Sequence, residues 1–197
     1  MRATALALTV LIAGAAGCSK PAPAAPQPPP PEPPGDLQPR CVYFKDLRAF
    51  LPATLPGFEQ VRDEGSTGKY GDVQVSEAKR TFAQGEGREL SVRIVDTTMA
   101  QDLGRAIRSA AQDAASRPPS DPTAPIFLQG AVGFVRFDGS HDSAETRAEA
   151  TLWVADRFVV AVSSQGFDDT TQVRQVAREL DLAGLSNLRL DGGRRVP

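Results

Sequence analysis

From residue 41 onward, apolar and polar positions change period several times, and each change marks an element. In "CVYFKDLRAFLPATLPGF", Phe44, Leu47, Phe50 and Leu51 recur at helical spacing, and Pro52 stops the run. Leu55-Pro56-Gly57-Phe58 reads as a turn with apolar anchors on either side, and residues 62–71, "RDEGSTGKYG", as a polar, glycine-bearing loop. A strand pair follows, "QVSEAKRTFA" and "ELSVRIVDT", joined by the glycine-containing hairpin "QGEGR". In the second strand Leu90, Val92 and Ile94 alternate with Ser91 and Arg93. In the first, Val73 and Val75 lie on one parity and Ala78 and Phe82 on the other, which predicts a bulge or break near Ser76. A helix is expected from about Thr98 to Ser116, with Met99, Leu103, Ile107, Ala110 and Ala114 as its apolar stripe. Pro118-Pro119 ends it, and "SRPPSDPTAP" reads as a second proline-rich loop.

The same grammar then runs again. "AVGFVRFDG" is a strand. "SAETRAEATLWVA" sets Ala144, Thr146, Ala148, Ala150, Leu152 and Val154 on one face and Glu145, Arg147, Glu149 and Trp153 on the other. After a short turn at Asp156-Arg157, "FVVAVSS" is apolar on both faces, as a central strand is. Asp168 or Asp169 caps a helix whose stripe is Val173, Val176, Ala177 and Leu180, and Gln172 completes a capping box with Asp169. "LDLAGLSNLRL" closes the domain. The pattern predicts an α+β fold: an antiparallel sheet of about five strands with two main helices packed on one face, a strand-rich unit plus helix occurring twice. Neither strand group is stable alone, so both are expected in one sheet. The expected boundaries are 41–191 for this domain and 192–197 for a frayed tail.

The first forty residues read differently. Met1-Arg2 is a short positive start, and Ala3 to Ala13 is an apolar run too short to span a bilayer, which takes about 20 residues. These are the proportions of a secretory leader, to be set aside from fold reasoning. Two cleavage sites compete. Ala13-Gly14-Ala15 suits ordinary leader removal; Ala15-Ala16-Gly17-Cys18 resembles the lipobox of bacterial lipoproteins, whose usual leucine is replaced here by Ala15. That resemblance covers residues 1 to about 20. It implies a signal peptide over 1–17, lipidation of Cys18 with a diacylglyceryl group and often a third chain, and anchoring in a membrane. Several acyl chains exceed the two signals that stable anchoring needs. Ser19, where an aspartate is associated with inner-membrane retention in the family, implies an outer-membrane destination, facing periplasm or exterior.

Residues 18–40 are expected to be a disordered, proline-rich tether. Ten of the 17 prolines lie between Pro21 and Pro39, and "PAPAAPQPPPPEPP" lacks the N–H groups and free φ angles that helix or sheet requires. In polyproline II, at about 3.1 Å per residue, it reaches up to ~70 Å between Cys18 and Cys41. A PxxP ligand for a peptide-binding domain is the sharper alternative. With Cys18 acylated, Cys41 stands alone, as a free or intermolecular thiol or as a small half-buried hydrophobe. If the leader is cut at Ala15 instead, Cys18 and Cys41 can pair.

Charge and composition narrow the chemistry. A net charge of −2 offers no basic face, so no nucleic-acid partner is expected. The one histidine, His141, sits between Ser140 and Asp142 in a hairpin loop; a triad is assembled in space, and three consecutive side chains diverge. Neither cysteine has zinc-ligand company, "FDDTTQ" lacks the spacing of a calcium loop, and the Gly-x-Gly of "QGEGREL" lies between strands rather than before a helix. No cofactor and no enzymatic activity are expected. Glu145, Glu149, Arg147 and Arg80 read as charge pairs on a wet sheet face. Trp153, on the polar parity of its strand, has two readings: cover by a helix or by the loop at 117–126, or an aromatic anchor on a binding face with Arg136 beside it. The expected function is a lipid-anchored, non-catalytic binding or assembly module of the cell envelope with a protein partner. Alternatives are a carrier of a small apolar ligand or lipid, for which Ala144, Ala148 and Ala150 leave room, and an envelope hydrolase.

Overall fold

The computed structural model describes residues 41–139 and 145–190, the last two by backbone only. The expected leader, Cys18, the tether, His141 with Ser140 and Asp142, and the tail at 192–197 lie outside the described residues. In chain order the elements are α1 (Phe44–Arg48), β1 (Glu59–Tyr70), β2 (Val73–Ala83), β3 (Glu89–Thr97), α2 (Ala100–Ala115), β4 (Thr123–Leu128), β5 (Ala131–Asp138), β6 (Arg147–Val154), β7 (Phe158–Gln165), α3 (Thr171–Glu179) and α4 (Leu182–Leu190). The fold is α+β. All strands are antiparallel to their neighbours in one sheet, ordered β1-β2-β3-β7-β6-β5-β4. Two meanders, β1–β3 and β4–β7, meet where β3 pairs with β7.

The five expected strands are β2, β3, β5, β6 and β7, and all five are interior. The two extra strands are the edges. β1 occupies the segment read as a polar loop, and β4 begins inside the segment read as a proline-rich one. Edge strands carry charges, glycine and proline because they must not recruit another sheet, so β1 holds "RDEGSTGK" and β4 holds Pro125. No bulge occurs near Ser76: the register of β2 is unbroken on both sides, and the irregularity falls in β1 between Gln60 and Arg62. Ser76, Ala78 and Phe82 share the covered parity: Ala78 and Phe82 enter the main core, and Ser76 is buried with a 2.8 Å hydrogen bond to Thr67, while Val73 and Val75 are half-buried on the other face.

Helices cover both faces of the sheet, not one. On the first face, Leu90, Val92 and Ile94 of β3, Leu152 and Val154 of β6 and Phe158, Val160 and Val162 of β7 meet Leu47, Leu51, Leu55, Val173, Val176, Ala177, Leu182 and Leu185 from α1, α3, α4 and their flanks. Ala148 and Ala150 belong to this core and are buried, so the space that small residues leave is taken up by close helix approach. Arg80 also points to this face rather than to a wet one. Its guanidinium donates to the carbonyls of Leu51 and Pro52 and to Asp63 at 2.8 Å, and Asp63 in turn pairs with Arg48.

α2 lies alone on the opposite face. Its buried residues are Ala100, Gly104, Ile107, Ala111 and Ala114, so the stripe is rotated from the expected one, and Met99 and Leu103 are exposed. The cause is Trp153, which sits beneath the helix with Val132, Phe134 and Val159 around it. A Cβ at position 104 would stand inside the indole ring, so only glycine fits at this crossing. The turn that follows β6 holds the helix from below: Ala155 and Asp156 both have positive φ, as the centre of a type I′ turn requires, and Asp156 receives Gln101 and Arg108.

Gly104→Ala is expected to destabilise the domain by about 1–3 kcal/mol, because neither the helix backbone nor the indole has room to yield. Trp153 is the chain's one tryptophan, so its fluorescence reports directly. The urea midpoint should fall, and the folded emission should shift to the red as α2 lifts away.

Candidate binding face

α2 starts after β3 at the centre of the sheet and ends before β4 at its far edge, so it shelters β4 to β7 and leaves the other half of that face bare. The bare half is built from alternate residues of the strands. One register row crosses the whole sheet: Arg62, Thr81, Ser91, Ser163, Glu149, Arg136 and Thr123, one residue from each strand. On one side of it runs the row Glu89, Gln165, Arg147 and Asp138, and on the other Glu64, Lys79, Arg93 and Ala161. Short hydroxyl side chains thus lie in the middle, with long charged ones along both sides. The result is an open trough of about 400 Å³ floored by Thr81, Ser91 and Ser163.

Opposite charges alternate across this face. Glu64 stands opposite Lys79, Arg136 opposite Glu149, and Arg147 opposite Asp138. Arg93 is bonded to Glu77 at 2.6 Å, and Glu149 accepts from Thr151 at 2.8 Å. Arg62 reaches Glu89 at 3.3 Å. Those two residues belong to β1 and β3, which are not neighbours, so the pair arches over β2 at the level of Thr81. Thr81 is 2% exposed, and its Oγ1 has no hydrogen-bond partner. Leaving such a group unsatisfied costs about 1–3 kcal/mol. The arch is half exposed at both ends, where an ion pair contributes little.

Trp153 and Arg136 are not brought together. Trp153 is 2% exposed under α2 and offers no surface to a partner, while Arg136 is exposed four residues farther along in register, about 13 Å away. The helix, not the loop at 117–126, provides the cover. The trough residues were hidden for a different reason: Ser91 and Ser163 read only as polar parity, and nothing local aligns them.

Cys41 is half-buried beside a second polar cluster. Its thiol donates to the Gln74 carbonyl at 3.3 Å. The neighbouring Asp96 is 1% exposed and accepts from Arg157 Nε and Nη2 at 2.9 and 2.7 Å and from the Val42 N–H at 2.6 Å. One buried carboxylate therefore ties the start of the domain to β3 and to the β6–β7 turn. Burial, and then the Asp96 charge, push the Cys41 thiol up to about 11. Removing the carboxylate would take an acceptor from Arg157 and from the Val42 N–H.

Against known proteins, no family model matches the chain, and neither a curated protein nor a solved structure matches it.

Two outcomes follow from the Asp96 cluster. Asp96→Ala should lower stability by about 3–5 kcal/mol in urea unfolding, since it removes a buried carboxylate that accepts from Arg157 and from the Val42 N–H. Thiol alkylation at pH 8, read from the mass of the Cys41 peptide, should run at least about tenfold slower in the folded protein than in urea, because a raised pKa keeps the thiolate scarce until the pH nears 11. Equal rates would mean that the thiol is open and ordinary.

Proposed function

We propose that this chain is a lipid-anchored protein of the cell envelope whose domain is a non-catalytic binding or assembly module, displayed on a proline-rich spacer. The observation that carries this reading is the order of Ala16-Gly17-Cys18 and the ladder "PAPAAPQPPPPEPP" directly before a folded domain. An acylated Cys18 fixes one end of the spacer in a bilayer, and the other end holds the domain within about 70 Å of that surface. What the domain adds in support is an open sheet face. Its charges are interspersed, so contact with a partner is governed by local hydrogen bonding rather than long-range steering. The direction of the anchor, set by Ser19 after the cysteine, is toward an outer membrane.

The test is the N-terminal peptide of the protein isolated from membranes without reduction. The expected peptide begins at Cys18 and carries acyl chains, and Cys18→Ala should move the protein from the membrane to the soluble fraction. A peptide beginning at Ala16, free of lipid and bridged to Cys41, would end the anchored reading.

A further inference from the structure

The open trough has a chemistry that selects its occupant. Its floor consists of hydroxyls, each able to donate and to accept. Carboxylates and guanidinium groups stand side by side along its rims: Glu89 with Arg62 and Glu149 with Arg147. A polyanion would meet the two glutamates, a polycation would meet the two arginines and Lys79, and an apolar chain would leave the floor without partners. The remaining class is a neutral ligand dense in hydroxyl groups. We propose that the trough binds a segment of a neutral glycan, laid across β2, β3, β7 and β6 with its hydroxyls on Thr81, Ser91 and Ser163. This proposal deepens the binding-module reading and rests on it.

Three features of the geometry fit such a ligand. Thr81 Oγ1 lacks a partner and lies beneath the Arg62–Glu89 arch, so its unused hydrogen-bonding valence becomes reachable when a ligand takes over that ion pair. The Arg62–Glu89 arch above it sets a donor and an acceptor side by side, which is the complement of two adjacent sugar hydroxyls, one accepting from the guanidinium and one donating to the carboxylate. Because the arch is solvent-exposed, exchanging its ion pair for those two hydrogen bonds costs little. From β2 to β6 is three strand spacings, about 14 Å, the reach of a short oligosaccharide rather than a single ring. With hydrogen bonds as the attraction and water as the competitor, binding is expected in the millimolar range.

The experiment uses the mature full-length protein, isotope-labelled, in a detergent without a sugar headgroup. Maltohexaose, cellohexaose and chitohexaose are titrated separately to about 20 mM while backbone amide shifts are followed. At least one should give saturable shifts at Thr81, Ser91 and Ser163 that are the same at low and high salt. Thr81→Val with Ser163→Val should weaken binding at least about fivefold with the dispersion of the spectrum retained. No shift with any of the three overturns the proposal, as does binding of polygalacturonate in their place that salt abolishes. Membrane attachment through Cys18 is read separately, so loss of glycan binding leaves the anchored reading standing. Shortened sugars in the sample would support the ligand class and overturn the non-catalytic reading.

Discussion

Everything distinctive in this fold depends on the pairing of β3 with β7. It joins two meanders that would otherwise be separate, and it puts both strands at the centre of a seven-stranded sheet. Val92 opposite Val162 and Ile94 opposite Val160 bury this seam on the face under α1, α3 and α4. Because β3 is central and β4 is the far edge, the chain between them has to travel across β7, β6 and β5. α2 is that crossing. It can shelter only the half of the sheet it traverses, and the strands of the first meander keep one bare face.

The crossing imposes its own conditions. A helix lying directly on a tryptophan needs a position without a side chain, and Gly104 supplies it. The helix is otherwise seated by alanines and one isoleucine, a thin contact beside the broad core on the other face. The turn at Ala155-Asp156 helps by bonding Gln101 and Arg108 from below, and the same hairpin sends Arg157 to Asp96. Helix seating, hairpin geometry and the attachment of the domain's first residues are therefore linked through a few neighbouring groups. Asp96 is the member without substitute, since it is buried and serves three donors.

Much of this was legible along the chain, and the parts that were not share a cause. Interior strands announce themselves because both faces must be apolar or regularly alternating, as "FVVAVSS" and "ELSVRIVDT" are. Edge strands are shaped by the need to stay unpaired, so "RDEGSTGKYG" and the stretch around Pro125 carry turn-like residues and were read as loops. The stripe of α2 was misjudged by one position because Leu103 looks like core and Gly104 like a breaker, until a large ring lies beneath them. Arg80 looked like a wet-face charge although it shares the parity of Ala78 and Phe82, because the acceptors that hold it, Leu51, Pro52 and Asp63, come from other segments.

By itself the sequence determined the class of the fold, its five inner strands, the stripe of α3 and the proline ladder of residues 21–34. These follow from local rules: period and the backbone limits of proline. Only the tertiary structure decided that helices lie on both faces, that Trp153 is core rather than anchor, and that Thr81, Ser91 and Ser163 share one register row. Those outcomes depend on which strands become neighbours, and residues more than seventy positions apart meet through pairing that leaves no local trace. The open face is such an outcome, set by where one connection had to cross.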